Sequence, residues 1–443
     1  MLRRTRVARP PGPSGSRLVG NLADYERDRL GFLLALPAAY GDLASFDART
    51  TVVNDFGLAH AILRDHAGAF AVQQNFLGQQ VDSHELEAVL RIRRHLNPGL
   101  RPQAVTRVAH DVAVLTERRL ASRQLPFTFE PLSVAEQVIS EAFSWHLFGA
   151  ERAPFVAQVA ELLDSLELTI GNVFAPPASW RTPLRRRIER QHGELLSGVI
   201  EVLRSKGDDL DRRAHAHAIA WKAQDSDDPH ALGNLVIGAM LAAQRVPASG
   251  ASWTLLMVAE RPEWQERLRD EANRLRDALH RGEAVQGVHF PLALAFVHET
   301  LRLYPPTWLI TRTSTTPVTL GGYEFPAGQM FLISPYVLHR DERTNPRAQT
   351  FDPSRWLSGD HPRILSFGSG RHRCPGTGFA MNALVAFLLT VIQGRDLSVT
   401  VEPRAEMRNT LRPAGLAIRA ASSSKHKPRL TQALPTRACS SAS

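Results

Sequence analysis

The sequence predicts a mainly α-helical fold with a small β-region. Apolar residues recur at helical spacing through most of the chain between residues 26 and 393, whereas strand-like alternation is confined to 43–55 and 316–334. Because these strands cluster and do not alternate with helices, repeated βαβ units and a large parallel sheet are not expected. No internal repeat is evident.

The predicted helices form a long series. They cover residues 26–40, 57–65, 85–97, 104–121, 133–147, 155–172, 184–206, 231–260, 263–280, 290–303 and 375–393. Residues 1–18 contain "RPPGPSG" and are expected to be an extended leader, because Pro and Gly disfavour a helix there. Residues 421–443 are expected to be a disordered tail. The length of 443 residues allows either one large domain or two or three smaller ones.

The composition is that of a globular enzyme, with 43% hydrophobic and 22% charged residues. No apolar run approaches the length of a membrane span, and no apolar segment follows the basic N-terminus, so we expect a cytoplasmic protein without a signal or anchor. The net charge of +9 comes mostly from arginine. The basic stretch at 181–190 lacks interleaved aromatic residues, so nucleic-acid binding is not expected, although an acidic protein partner remains possible.

The strongest chemical signal is "FGSGRHRCPG", which runs from Phe367 to Gly376 and precedes an apolar helical stretch. Glycines let the backbone pass close to a planar ligand, and the basic residues at 371–373 together with a helix N-terminus favour a thiolate at Cys374. The other cysteine, Cys439, lies in the Ser/Ala-rich tail. A buried structural cysteine would explain neither the glycines nor the basic residues.

This stretch resembles the haem-binding loop of the cytochrome P-450 superfamily. The residues that match the family pattern are Phe367, Gly370, His372, Cys374 and Gly376, and Gly368 lies in the same loop. The resemblance covers roughly residues 10–420 and implies a triangular, helix-rich prism enclosing haem, with one catalytic domain over 19–420. It also implies haem b (iron protoporphyrin IX) with the Cys374 thiolate as axial ligand.

Two further motifs resemble the same family. "ETLR" contains Glu299 and Arg302, whose separation by three places them on one helix face. "FDPSRW" contains Arg355, where the family carries a third member of this network. The resemblance implies a buried network that braces the haem loop.

The haem propionates need cations. The resemblance assigns this role to Arg93, Arg312 and His372. Val89 stands where the family usually carries a tryptophan, so one propionate contact is expected to be missing.

The reaction implied by the resemblance is insertion of one oxygen atom into an organic substrate. Electrons would come from NAD(P)H through a separate ferredoxin or flavodoxin and its reductase. The implied pocket walls are mostly apolar and include Val246, Thr307, Trp308, Leu309 and the segments 68–88, 160–180 and 409–416. A lipophilic substrate from bacterial secondary metabolism, such as a terpenoid, polyketide or fatty acid, is therefore favoured.

The central helix departs from the family. Ala242 and Ala243 align with its small residues beside the haem, but Arg245 and Val246 replace the acid and the alcohol that relay protons to bound dioxygen. Pro247 removes the N–H that would bond to the carbonyl of Ala243, so we expect the helix to open or kink there.

Four interpretations of this departure remain open. A dioxygen-dependent monooxygenase could move protons through water, a substrate hydroxyl, Gln244 or Ser249. A peroxygenase using hydrogen peroxide could pair Arg245 with a substrate carboxylate. An isomerase or dehydratase would need no dioxygen cleavage. Arg245 could also simply turn to solvent or pair with a neighbouring helix. A haem-binding helper or electron-transfer protein is the non-enzymatic alternative.

Overall fold

The computed structural model describes residues 9–15, 20–65, 67–72, 97–101, 104–149, 155–168, 180, 182–204, 228–359 and 361–423. The chain forms two compact units. The sheet unit draws on residues 1–86, 301–352 and 360–374, and the helical unit draws on 87–300, 353–359 and 375–443. One catalytic domain over 19–420 stays a prediction.

In its described residues the sheet unit contains a five-stranded sheet, a separate hairpin and four helices. The strands are β1 (Leu43–Ser45), β2 (Thr50–Val53), β3 (Phe70–Ala71), β5 (Ile310–Ser314) and β8 (Met330–Ile333). Their order is β1-β2-β8-β5-β3; β2 and β8 run parallel and the other pairs are antiparallel. A separate hairpin joins β6 (Val318–Leu320) and β7 (Tyr323–Phe325). The helices are α1 (Leu22–Arg27), α2 (Arg29–Tyr40), α3 (Phe56–Leu63) and α12 (Pro335–Leu338).

The core of the sheet unit lies between the sheet and α3. Val53, Phe331 and Ile333 of the sheet belong to one apolar cluster with Phe56 and Ile62 of α3. The helix begins at Phe56 because Asp55 caps it, with the Leu58 N–H donating to Asp55 Oδ1 at 2.8 Å.

The helical unit contains most of the long helices. They are α4 (Val108–Ala121), α5 (Pro131–Phe148), α6 (Val156–Glu167), α7 (Pro183–Arg204), α8 (Pro229–Ala242), α9 (Arg245–Ala259), α10 (Pro262–His280) and α13 (Thr377–Ile392). Helix α13 packs against α4, α9 and α10, and it is enclosed on every side, since every residue from 381 to 392 is buried. Helix α11 (Pro291–Leu303) includes residues of both units.

Two small sheets complete the helical unit. One has the order β4 (Phe127–Phe129), β12 (Ala417–Ser422), β9 (Arg395–Val401), and the other pairs β10 (Arg404–Met407) with β11 (Leu411–Ala414). The strands after residue 394 are absent from our sequence-based prediction. Ala421 and Ser422 of β12 pair with Asp396 and Arg395 of β9. Our prediction of a disordered tail from residue 421 therefore placed its start too early.

The mainly helical class with a small β-region is confirmed. The predicted helix at 85–97 lies outside the described residues, apart from Asn97 in a short 3₁₀ turn. None of the helices in the described part of the chain combines the length and apolar character that crossing a bilayer requires.

Candidate active site

The loop before Cys374 is shaped by two glycines in the left-handed region. Gly368 has φ +67° and Gly370 has φ +68°, a conformation that side-chain-bearing residues rarely adopt. Gly370 also lies against the backbone of α3, where a Cβ would overlap the Leu63 carbonyl and lie 2.8 Å from Arg64 Cα. The sequence pattern therefore reflects both a turn and a close approach.

Cys374 closes this loop. Its N–H donates to the Phe367 carbonyl at 2.8 Å, and its side chain is exposed. A short 3₁₀ turn, Gly370–His372, lies between these two residues, and the chain enters α13 at Thr377 with Gly376 as the preceding cap residue. The loop therefore presents one sulfur just before a long helix begins.

Arg312 is a buried cation of the sheet unit. It lies on β5 opposite Phe331 of β8, is 8% exposed, and donates to the Thr311 carbonyl at 2.7 Å. Among the described residues it has no carboxylate partner, and burial lowers its pKa to about 10. A buried guanidinium without a carboxylate partner in the described residues is a suitable binding group for the carboxylate of a haem propionate.

A histidine that sequence reasoning missed braces the cysteine loop. His339 Nδ1 donates to the Arg302 carbonyl at 2.8 Å, and Nε2 accepts from the Leu365 N–H at 2.6 Å. Burial lowers the pKa of His339 to about 3, so the ring is neutral. Two residues beyond Leu365 the glycine-rich loop begins, and "VLHRDE" carries no local signal of this role.

The side chain of Arg302 binds backbone carbonyls in the segment from 339 to 350. Its guanidinium donates to the carbonyls of His339, Ala348 and Thr350 at 3.0, 2.6 and 3.0 Å, and the residue is fully buried. Arg302 and His339 therefore bind each other's backbone.

Glu299 anchors the third member of the predicted network. Its carboxylate accepts from Arg355 Nε at 3.1 Å and from Trp356 Nε1 at 2.9 Å. Glu271 of α10 fixes the start of the helix that carries Glu299, because it accepts from the N–H groups of Leu292 and Ala293. Glu299 and Arg355 thus form an ion pair.

The central helix is interrupted where Pro247 predicted an opening. Helix α8 ends at Ala242 and α9 begins at Arg245, with Gln244 between them at φ −91° and ψ −82°. The Ala243 N–H still bonds to the Ala239 carbonyl, but the Gln244 N–H reaches only the Leu241 carbonyl at 3.4 Å. This confirms the predicted opening.

Gln244 and Ser249 have different surroundings. Gln244 is 5% exposed, and its Oε1 has no hydrogen-bond partner within the described part of the chain. Ser249 Oγ donates to the Leu411 carbonyl at 2.5 Å, which also accepts from Trp253 Nε1 at 2.9 Å. The Ser249 hydroxyl is therefore used to hold β11 against α9.

Arg245 binds protein carboxylates. Nη1 lies 2.7 Å from Glu167 Oε1, Nε lies 3.7 Å from Glu136 Oε1, and Nη2 bonds to Asp164. Of the uses considered from the sequence, the geometry is that of pairing with neighbouring helices. The three acids carry no motif and were missed.

The remaining predicted site residues are placed as follows. Trp308 is buried, and its carbonyl accepts from Ser334 Oγ at 2.8 Å, whereas Thr307, Leu309, Val246, Ala243 and His372 are half-buried and Ala242 is exposed. Arg93 and Val89 lie outside the described residues, as does most of the predicted pocket loop at 68–88.

Comparison with known proteins agrees with this geometry. The family model described as Cytochrome P-450 matches residues 10–422. Cyclooctatin synthase of Streptomyces melanosporofaciens is 26% identical, covering 90% of this chain and 93% of the relative. Cyclooctat-9-en-7-ol 5-monooxygenase of the same organism is 25% identical over 86% and 87% of the two chains. Pentalenene oxygenase of Streptomyces avermitilis is 30% identical over 39% of each.

The extent of the family match decides the assignment. It spans the loop of Cys374, the network of Glu299 and Arg355, and the interrupted central helix. Members of this family bind haem with a cysteine thiolate ligand, and Cys374 is the cysteine of the matching loop. The chain therefore belongs to the cytochrome P-450 family of haem-dependent oxidoreductases.

Proposed function

We propose that this protein is a monooxygenase that inserts one oxygen atom of dioxygen into a lipophilic small molecule, with a terpenoid of bacterial secondary metabolism as the favoured substrate class. The observation that carries the proposal is the exposed sulfur of Cys374 in a loop braced by His339 and two left-handed glycines. Relatives named cyclooctatin synthase, cyclooctat-9-en-7-ol 5-monooxygenase and pentalenene oxygenase support the substrate class.

The residues that would hold haem b are Cys374 through its sulfur and Arg312, His372 and Arg93 through the propionates. Arg312 is the best supported of the cations, because it is buried and lacks a carboxylate partner among the described residues. Gly368 and Gly370 keep side chains out of the loop. Haem supplies the activation of dioxygen, and a thiolate ligand favours cleavage of the O–O bond.

The contacts of Arg245 help to distinguish dioxygen from hydrogen peroxide as the oxidant. A peroxygenase that uses this arginine to bind a substrate carboxylate needs a free guanidinium. All three nitrogens of Arg245 face Glu136, Asp164 or Glu167, so a substrate carboxylate would have to displace a protein partner. This favours dioxygen over hydrogen peroxide as the oxidant.

Gln244 lies at the interruption between α8 and α9, and we assign a function to its side-chain amide. Its amide oxygen is buried and has no partner in the described residues, a state that costs about 1–3 kcal/mol unless a ligand or water donates to it. An amide cannot act as an acid, but it orients a donor. Gln244 is therefore proposed to hold a water or substrate hydroxyl in place during proton delivery, and Ser249 to have a structural role.

An acidic electron carrier fits the surface beside the cysteine loop. Arg64, Arg363, Arg371 and Arg373 are exposed in the sheet unit. Burial lowers the pKa of His60, and the charges of Arg64 and Arg363 lower it further, which places both arginines near one side chain. Complementary charge steers such encounters, so a cytoplasmic ferredoxin or flavodoxin is proposed to dock here.

Two measurements test this function. The reduced protein with carbon monoxide should give the red-shifted Soret band of a thiolate-bound haem, and Cys374→Ser should lose that band while Ser366→Cys keeps it. Turnover of cyclic terpene hydrocarbons is then compared with NADPH, ferredoxin and reductase or with hydrogen peroxide, under isotopically labelled dioxygen. Label in the product supports the proposal. Product formed only with peroxide, or without label, would contradict it.

A further inference from the structure

Arg245 lies in the first turn of α9 and is surrounded by carboxylates from two other helices. Glu136 belongs to α5, and Asp164 and Glu167 belong to the last turn of α6. The Nη1–Glu167 pair is 2.7 Å and the Nε–Glu136 pair is 3.7 Å. The arginine therefore collects acids from α5 and α6 at the point where the central helix restarts.

A second arginine extends the group. Arg412 of β11 lies 3.8 Å from Glu167 Oε2 through Nη1. We call Glu136, Asp164, Glu167, Arg245 and Arg412 the Arg245 cluster. With all five side chains ionised, three negative charges face two positive charges, so the cluster carries one excess negative charge.

The neighbouring charges of Glu406 on β10 and of Arg408, which follows that strand, do not remove this excess. Glu406 accepts from Arg412 Nε at 2.6 Å and pairs with Arg408 at 2.7 Å. Burial alone would raise the pKa of Glu406, but these hydrogen bonds lower it below its ordinary value, so Glu406 stays ionised. Glu406 and Arg408 contribute charges that cancel.

The excess charge is partly removed from water. The side chains of Glu167 and Glu136 are 6% and 26% exposed, whereas Asp164 is 64% exposed. Burial raises the pKa of Glu136; Arg245 and Arg412 oppose this, and Glu167 and Asp164 add to it. Burial therefore favours the protonated form of Glu136.

We propose that Glu136 binds and releases one proton beside the break in the central helix, and that the Arg245 cluster supplies there the acid that position 245 itself lacks. The proton comes from solvent and converts the Glu136 carboxylate to a carboxylic acid; it then passes to the water that Gln244 is proposed to hold, and the carboxylate forms again. Glu136 is a positioning and proton-storing residue, since it acts through Arg245, whose Nε lies 3.7 Å from its carboxylate.

The location of the cluster gives this exchange its function. Arg245 follows Gln244 in the chain, and α5 packs along α9. Gln244 has a buried amide oxygen without a partner in the residues that the structure describes, but it has no acidic proton to give. A store of protons that contacts Arg245, the residue next to Gln244, complements an amide that can only orient a donor. This step rests on the proposed monooxygenase function.

Infrared titration of the haem-loaded protein tests the storage of the proton without measuring activity. The carbonyl stretch of a protonated carboxylic acid should appear as the pH falls and should be lost in Glu136→Gln. Its midpoint should move to higher pH in Arg245→Gln, because a neighbouring positive charge is removed. It should move to lower pH in Glu167→Gln, because a neighbouring negative charge is removed.

Glu141→Gln is the matched control, because Glu141 lies on the same helix and pairs with Arg119 at 3.0 Å, away from the cluster. In turnover, Glu136→Gln should divert electrons to hydrogen peroxide and reduce coupled product about tenfold or more, with the carbon monoxide band and substrate binding unchanged. Equal effects of Glu136→Gln and Glu141→Gln, or midpoints that do not move in opposite directions, would overturn the inference. An inactive protein with the expected titration would instead overturn only the proposed function.

Discussion

The imidazole of His339 accepts a hydrogen bond from the N–H of Leu365 at 2.6 Å and donates one to the carbonyl of Arg302 at 2.8 Å. The ring thereby ties the end of α11 to the segment that leads into the cysteine loop. Because the ring is fully buried, both bonds form out of water. One neutral side chain thus fixes two backbones of the sheet unit.

We expect His339→Ala to destabilise the protein by about 2–5 kcal/mol, since it leaves a buried N–H and a buried carbonyl without partners and opens a cavity. Urea unfolding, followed by fluorescence, measures the loss. His230→Ala removes an exposed imidazole and is the control. Equal stability of the two variants would show that the ring is dispensable.

Because of His339, we expect the stability of the protein to decrease as the pH falls. The pKa of His339 is lowered from 6.5 to about 3 in the folded state, so between these values the unfolded chain binds a proton that the folded chain excludes. Stability therefore rises with pH through this window, and the contribution is complete above pH 6.5 and lost on acidification. Urea midpoints measured across the window should fall less steeply in His339→Gln. Parallel slopes would exclude His339 as the titrating group.

Arg312→Met should have opposite effects on the haem-free and the haem-bound protein. Without haem, removing a buried cation that lacks a carboxylate partner among the described residues should stabilise the fold or leave it unchanged. With haem, losing a propionate contact should weaken retention by about tenfold or more, or about 1.5–3 kcal/mol. Haem transfer to apomyoglobin measures retention.

Arg340→Met is the control for that experiment. Burial also lowers the pKa of Arg340 to about 10, but its guanidinium stacks on Tyr336 at 3.6 Å and lies 5.5 Å from the ring centre of Tyr304. Its removal should destabilise both forms alike. Faster haem loss from Arg340→Met than from Arg312→Met would argue against the propionate role.

Gly370→Ala should prevent the cysteine loop from adopting its shape. The substitution adds strain at φ +68° and an overlap with the Leu63 carbonyl, together about 3 kcal/mol or more. Gly328→Ala has φ +82° with open space around the new Cβ, and its cost should be limited to about 1–2 kcal/mol. Haem content after purification and thermal midpoints separate the two. Similar losses in both variants would mean that the close approach is unimportant.

Features that depend on contiguous residues were predictable. The loop of Cys374 contains its own glycines, and Glu299 and Arg355 each lie in a short sequence motif. The opening at Ala243 followed from the missing N–H of Pro247 alone. The part of the site that would hold the cofactor could therefore be predicted from local sequence.

Features that depend on the fold were not predictable. His339 gains its role from Arg302 and Leu365, which are distant in sequence, and its neutral state arises from burial. Glu136 and Glu167 look like ordinary solvated acids of amphipathic helices until α5 and α6 meet Arg245. Strand β12, "AIRAAS", is rich in alanine, which disfavours strands, and forms because β4 and β9 flank it.

The interruption at Ala243 and Gln244 also changes the electrostatic field that the backbone produces. A continuous helix has its poles only at its far ends, whereas α8 and α9 place a carbonyl pole and an amide pole at the same interruption. Each pole corresponds to about half an elementary charge. The carboxylates around Arg245 thus stand at the positive pole of α9, where the dipole favours them. The two separate helices therefore place helix-dipole charge at residues 243 and 244, where one continuous helix would have no pole.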